Sequence, residues 1–178
     1  MKKLITFLHE NGTYAVAIST LAVGFCIQYV LIAHFLPAFL DHAGGLKNPD
    51  QLLSYSAAYL EELYGMLGVE GRAFYAQMLS VDFGYATISG VGYSLLLAAL
   101  SKQRKWFILL PLMTTLFDVA ENTLQLILMR QYPMLSPTGV TVASVLTSAK
   151  MITGMVVLLL IMYWVGANVV RWARSVWG

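Results

Sequence analysis

Residues 14–36 read YAVAISTLAVGFCIQYVLIAHFL, and this stretch decides the class of fold. It contains no Asp, Glu, Lys or Arg. A run of about 20 apolar residues is long enough to cross the roughly 30 Å hydrocarbon core of a bilayer as a helix. A backbone in lipid must satisfy its own N–H and C=O groups, so we expect an α-helix here. Three further stretches have a similar length and apolar character, namely residues 73–100, 106–129 and 141–165.

The composition of the whole chain supports a membrane protein. Of its 178 residues, 58% are hydrophobic and 11% are charged, whereas soluble domains carry about 25% charged residues. The apolar runs lack the alternating polarity of barrel strands. The single cysteine, Cys26, excludes an internal disulfide, and no basic patch interleaved with aromatics indicates nucleic acid as a partner. We therefore predict an all-α, four-helix transmembrane bundle that forms one domain over residues 1–178, with the lipid bilayer around it.

The positions of Lys and Arg predict the orientation in the membrane. These residues precede span one, fill the turn between spans two and three, and follow span four: Lys2, Lys3, Lys102, Arg104, Lys105, Arg171 and Arg174. The three groups lie on one side in any four-span arrangement, and basic residues are enriched on the cytoplasmic side. We predict that both termini are cytoplasmic. The opposite loop, residues 41–71, is acidic.

Within that loop the sequence predicts an amphipathic helix over about residues 49–67. Residues 48–51 are typical of a helix start. Asn48 can cap the helix, Pro49 suits its first position, and Gln51 can complete a capping box with Asn48. Gly68 is placed to end the helix. Leucine, serine and tyrosine residues recur at helical spacing between this start and Gly68, so we expect the helix to lie flat at the outer interface. It would serve either as a connector packed on the end of the bundle or as a gating lid.

Ionisable and amide side chains interrupt the apolar spans at one depth. They are Asp82 on span two, Asp118, Glu121, Asn122 and Gln125 on span three, and Lys150 on span four. Asp82 follows Gly71, and Lys150 follows Gly139, by 11 residues, which is roughly 16 Å of helix in each case. Asp118 lies near the middle of span three. The sequence therefore predicts one polar layer close to the membrane midplane.

The helix faces agree with this layer. Positions 118, 121, 122 and 125 follow the i, i+3, i+4, i+7 spacing of one helix stripe. Tyr75, Asp82 and Tyr85 share a face of span two, and Arg72 is the nearest additional cation, at the outer mouth. We expect a polar, carboxylate-rich cavity that is bordered by tyrosines and opens toward the outer leaflet.

Three interpretations of this layer remain open. A charged side chain in hydrocarbon costs about 3 kcal/mol on insertion scales, so one interpretation is an ion-paired network that fixes helix register. The second is acid–base chemistry on, or binding of, a lipid-soluble molecule such as a lipid or isoprenoid. The third is a proton or cation pathway or a small-ligand carrier, which would need a homo-oligomer because four helices leave little room for a pore.

The second interpretation assigns roles to individual residues. Asp82, Asp118, Glu121 and Lys150 are the catalytic candidates, and Asn122, Gln125, Tyr75, Tyr85 and Arg72 are the binding candidates. His34, Asp41 and His42 lack a metal-ligand spacing, so no metal site is predicted. No cofactor motif is present either.

The strings YGMLGVEGRAFYAQMLSVDFGY (residues 64–85), LPLMTTLFDVAENTLQLILMRQYP (110–133) and TSAK (147–150) carry a resemblance. Together they resemble a group of small bacterial four-span integral membrane proteins to which no activity is attached. The resemblance covers about residues 55–155. It implies the four-span fold and a location in the inner membrane of a bacterium, and it implies no activity. The Asp118-x-x-Glu121-Asn122 stripe is similar in kind to the sterol-isomerase-like fold, which also places acidic residues and an asparagine in a membrane pocket.

Overall fold

The computed structural model describes residues 1–102 and 105–177, and this part of the chain is helical and contains no strand. Its five helices are α1 (Lys2–Asn11), α2 (Tyr14–His42), α3 (Ala57–Ser101), α4 (Trp106–Gln131) and α5 (Pro137–Trp177). The last four are long and apolar enough to cross a membrane, which confirms the four predicted apolar helices. Arg104, which the orientation argument used, lies outside the described residues.

Two of the helices are much longer than the predicted spans. α5 has 41 residues, which correspond to about 62 Å at 1.5 Å per residue. α3 has 45 residues in two helical parts, 57–67 and 69–101, and the second part is about 50 Å long. Both lengths exceed the thickness of a hydrocarbon core of roughly 30 Å, and that of α5 is about twice as large. The predicted spans 73–100 and 141–165 are therefore the apolar parts of longer helices, because no proline interrupts either helix after its first turn.

The loop between α2 and α3 differs from the prediction in its first half. Asn48 and Gln51 form the expected reciprocal capping box, but it closes only a single 3₁₀ turn, Pro49–Gln51. α3 begins at Ala57, after the Ser56 side chain accepts a hydrogen bond from the Tyr59 backbone. A helix that starts at residue 49 is therefore wrong. The physical reason is tertiary, since the backbone of residues 53–55 bonds to serine side chains of α5 instead of to its own helix.

Gly68 ends the first helical part of α3, as the sequence predicts, and a second helical part follows it. Its backbone has φ 60° and ψ −165°, and the helix resumes directly after it. This left-handed φ suits glycine, which lacks the Cβ that makes such angles unfavourable. Before the break, the helix buries leucine and tyrosine side chains and exposes Glu61 and Glu62, in the pattern that the sequence indicates.

α3 is the central helix of the structure. It packs against α2, α4 and α5, and α4 and α5 also pack against each other. Small residues allow the close approach: a Cβ added to Gly90 of α3 would meet Thr115 Oγ1 of α4 at 1.9 Å, and one on Gly92 would meet the Leu21 side chain of α2 at 2.8 Å. Gly84 has no such neighbour. The predicted polar layer lies on these closely packed helices: Asp82 is on α3, Asp118, Glu121, Asn122 and Gln125 are on α4, and Lys150 is on α5.

Two apolar cores lie above and below the polar layer. We call the end of the helices that carries residues 43–56 and 132–136 the loop end, and the end that carries both chain termini the terminal end. The loop-end core includes Phe39, Leu60, Leu63, Tyr75 and Leu79. The terminal-end core joins α1 to the long helices, and its members include Ile5, Leu8, Leu97, Ile108 and Val157. These cores hold the helices in register on both sides of the polar residues.

Candidate functional site

Lys150 of α5 is the centre of the polar cluster. Its ammonium nitrogen lies 2.5 Å from Asp50 Oδ1, 3.1 Å from Asp118 Oδ1 and 2.8 Å from Glu121 Oε2. The Lys150 and Asp118 side chains are each 13% exposed, and the Glu121 side chain is 1% exposed. Lys150 therefore contacts three carboxylates at once, two from the same face of α4 and one from the loop.

Asp50 is the member that sequence reasoning missed. The sequence includes it only in the predicted outer helix over residues 49–67, away from the polar layer, whereas the structure turns it inward to Lys150. The loop is held in this position by Asn48, whose side chain accepts a hydrogen bond of 2.9 Å from the Tyr75 hydroxyl, and by the Tyr55 backbone N–H, which donates to Ser144 Oγ at 3.0 Å. No local sequence signal reports these contacts, because they join residues that are far apart in the chain.

A chain of hydrogen bonds continues from Glu121 toward the loop end. The Thr147 hydroxyl donates to Glu121 Oε1 at 2.5 Å, and the same Thr147 oxygen lies 3.3 Å from the Tyr55 hydroxyl. Gln125 Nε2 donates to the Tyr55 hydroxyl at 2.8 Å, and Gln125 Oε1 accepts from the Tyr64 hydroxyl at 2.5 Å. Burial removes water from the Tyr55 hydroxyl and raises the pKa of Tyr55 well above its ordinary value, so this group stays protonated.

Asp82 and Asn122 form a second polar pair beside the cluster. Asn122 Nδ2 donates to Asp82 Oδ2 at 2.7 Å, across the interface between α3 and α4. Asn122 is fully buried, and its Oδ1 has no hydrogen-bond donor among the described residues. The pair joins α3 to α4 within the polar layer.

The structure thus assembles most of the predicted residues but separates two of them from the carboxylates. Tyr75 is bonded to Asn48. Arg72 donates to the Tyr64 carbonyl oxygen at 2.7 Å, in the turn that Gly68 breaks, and its guanidinium lies 4.8 Å from the centre of the Tyr132 ring. Arg72 therefore stabilises the break in α3.

A cavity of about 320 Å³ lies between α3, α4 and α5, and Asp118 forms part of its wall. Tyr85, Tyr93, Thr114 and Thr115 also line it, and the remainder of the lining is largely apolar. The cavity extends from the polar layer toward the terminal end, whereas the sequence predicts an opening at the loop end. The reason is that the loop residues which carry Asp50 cover the polar layer on that side.

The charges of the cluster are unequal. The contacts join three carboxylates to one ammonium group, so the formal charge is negative when all four groups are ionised. Oxygens of Asp50, Asp118 and Glu121 lie within 4.8 Å of one another, as ligands of a metal ion would. The Lys150 ammonium, however, already lies at 2.5–3.1 Å from all three, where such an ion would bind. The cluster can take up protons or a further positive charge.

Comparison of the chain with protein-family models, with curated proteins and with solved structures found no match.

Proposed function

We propose that this protein binds a lipid-soluble small molecule in the cavity between α3, α4 and α5, and that Asp118 is the group that contacts it. One observation carries the proposal: Asp118 belongs both to the cavity wall and to the Lys150 cluster. A pocket that is mostly apolar, with a few polar groups at one end, is the usual form of a small-molecule site. A lipid or isoprenoid-like molecule matches such a lining.

The same arrangement supports acid–base chemistry on the bound molecule. A carboxyl group in a cavity can accept or donate a proton if a reacting atom lies within hydrogen-bonding distance. Lys150 positions Asp118 through the contact at 3.1 Å, while Asp50 and Glu121 hold the ammonium group from its other sides. Asp82 and Asn122 would complete the polar wall where α3 meets α4.

The proposed setting is the inner membrane of a bacterium, with α2 to α5 as a four-span bundle and both termini in the cytoplasm. Large apolar side chains point outward along α5, for example Ile152 and Leu159, which are 61% and 57% exposed. Exposed apolar side chains along a long helix are expected where lipid is the solvent. The loop end then faces outward, and the amphipathic start of α3 lies at the outer interface.

The orientation is tested by labelling cysteines from one side. Ser54→Cys and Ser175→Cys are made in a Cys26→Ser background, and intact spheroplasts are treated with a membrane-impermeant maleimide. Both positions are exposed in the structure. We expect Ser54→Cys to react in intact spheroplasts and Ser175→Cys to react only after lysis. The opposite pattern would reverse the proposed orientation.

A purely structural role is the second candidate, and a specific observation favours it. The network ties the loop to the helices at several points, including Asp50 to Lys150, Tyr55 to Ser144, and the Leu53 carbonyl to Ser148 at 2.7 Å. Such ion-paired groups can serve to fix one arrangement of helices. This role does not require a ligand, which makes the two candidates separable.

Ligand retention in a cavity-filled variant separates them. The full chain is purified gently in mild detergent, and native mass spectrometry identifies a bound lipophilic molecule. Gly154→Leu fills the cavity, since a Cβ there has only Thr114 Cγ2 nearby at 3.9 Å. Gly166→Leu is the matched control on the same helix, where a Cβ meets nothing within 4 Å.

We expect the wild type and Gly166→Leu to retain the molecule and Gly154→Leu to lose it while keeping its unfolding temperature. Equal retention by both variants, or no bound molecule in any of them, would favour the structural role. A carrier that works as a homo-oligomer would instead show a proton or cation flux in liposomes.

A further inference from the structure

The two threonine hydroxyls that line the cavity have their protons committed to other protein groups. Thr115 Oγ1 donates to the Ala86 carbonyl oxygen at 2.8 Å. Thr114 Oγ1 lies 3.2 Å from the Leu110 carbonyl oxygen and 3.1 Å from Thr153 Oγ1, and Thr153 in turn donates to the Ala149 carbonyl oxygen at 2.7 Å. Each hydroxyl has a single proton and two lone pairs. What these threonines offer to a ligand is therefore hydrogen-bond acceptors.

Asp118 has the same character. Its Oδ1 contacts Lys150, and within residues 1–102 and 105–177 no donor contacts Oδ2. An ionised carboxylate only accepts hydrogen bonds. The hydroxyls of Ser89, Tyr85 and Tyr93 can rotate to donate or to accept, so they do not discriminate between ligands. The polar part of the lining is thus rich in acceptors, and a ligand that carries donors matches it.

Charge favours a cationic donor over a neutral one. Lys150 is shared among three carboxylates, so a second positive charge beside Asp118 would reduce the excess of negative charge. Hydrogen bonds between an ammonium group and a carboxylate are roughly twice as strong as neutral ones. The rings of Tyr85 and Tyr93 in the same wall can also attract a cation through their faces. An anionic ligand would meet repulsion instead.

We propose that the ligand class of this site is a lipophilic ammonium compound: a compact apolar body with one protonated amine that donates to Asp118. The inference rests on the proposed function, because it names the occupant of the same cavity. The volume of about 320 Å³ is at the lower end of small-molecule pockets, so a compact body fits better than a whole phospholipid. The apolar walls, such as Val157 and Leu158, would contact the body.

Three probes with one apolar frame test the class. 1-Adamantylamine, 1-adamantanol and 1-adamantanecarboxylate are titrated calorimetrically into the full-length protein in mild detergent. Gly154→Leu, with its cavity filled, corrects for partition into the micelle. We expect the amine to bind about tenfold more tightly than the alcohol and the carboxylate to bind most weakly. Asp118→Asn is expected to equalise the affinities of the amine and the alcohol.

The outcomes separate this inference from the proposed function. If the alcohol or the carboxylate binds the wild type as tightly as the amine, and Gly154→Leu binds none of them, the site stands and the ligand class is wrong. If none of the three binds the wild type differently from Gly154→Leu, both proposals fail. The comparison of the three probes on the wild type needs no variant at Asp118, so it remains decisive even if Asp118→Asn does not fold.

Discussion

Replacement of Lys150 by methionine tests the centre of the site most directly. Methionine keeps an unbranched apolar side chain of similar length but removes the ammonium group that contacts Asp50, Asp118 and Glu121. Removal of one partner from a buried ion pair destabilises a protein by about 3–5 kcal/mol, because a charge is left without compensation. For a chain of this length each kcal/mol lowers the unfolding temperature by about 2–4 °C. We therefore expect Lys150→Met to lower it by about 6–20 °C.

Removal of a single carboxylate should do less. In Glu121→Gln the ammonium group keeps Asp50 and Asp118, and the glutamine oxygen can still accept from Thr147. The expected loss is about 1.5–3 kcal/mol, the size of one hydrogen bond to a charged group. The double variant Lys150→Met with Glu121→Gln should be more stable than Lys150→Met alone, because it removes the most buried of the stranded carboxylates.

The assay is thermal unfolding in mild detergent, followed by circular dichroism. Lys47→Met is the matched control, since Lys47 is exposed and its substitution should change stability by less than about 0.5 kcal/mol. The reasoning is refuted if Lys150→Met is no less stable than Lys47→Met. It is also refuted if addition of Glu121→Gln makes Lys150→Met worse.

Two further substitutions test the packing and the hydrogen-bond chain. Gly90→Ala should lower the free energy of unfolding by about 1–3 kcal/mol, because its Cβ would lie 1.9 Å from Thr115 Oγ1 and force α3 and α4 apart. Gly84→Ala is the control, since its Cβ would meet nothing within 4 Å and should not destabilise the protein. Equal unfolding temperatures of the two variants would contradict the close approach of α3 and α4. Tyr55→Phe should lower the free energy of unfolding by about 1–3 kcal/mol, because it leaves the buried Gln125 amide without its acceptor. Hydrogen exchange of the backbone amides should also become faster in residues 49–56. An unchanged exchange rate there would show that the Tyr55 hydroxyl does not hold the loop.

Much of the fold could be predicted because long apolar helices depend on local properties of the sequence. The apolar run at residues 14–36 predicts a helix on its own, and the structure has one from Tyr14 to His42. The capping box of Asn48 and Gln51 was also correct as a local motif. The prediction that a helix follows directly from this capping box was wrong, because residues 53–55 bond to α5 rather than to each other. Local signals predict a turn, but they do not predict where long-range hydrogen bonds will end it.

The candidate site divides in the same way. Asp118, Glu121 and Lys150 could be placed together from the sequence, because helix rise converts residue number into depth. Asp50 could not, since a loop has no fixed rise and its path depends on partners such as Tyr75. The side on which the cavity lies could not be predicted either, because it is the space that remains once the loop has packed.

The sequence by itself determined that this protein has four long apolar helices and that their ionisable residues share one depth. Both follow from the geometry of a helix whose backbone satisfies its own hydrogen bonds. Only the tertiary structure decided that a loop carboxylate, Asp50, completes the set around Lys150, and that Asp118 is the member that reaches a cavity. These features depend on how helices and loop pack against one another, and packing depends on contacts between residues that are up to 100 positions apart.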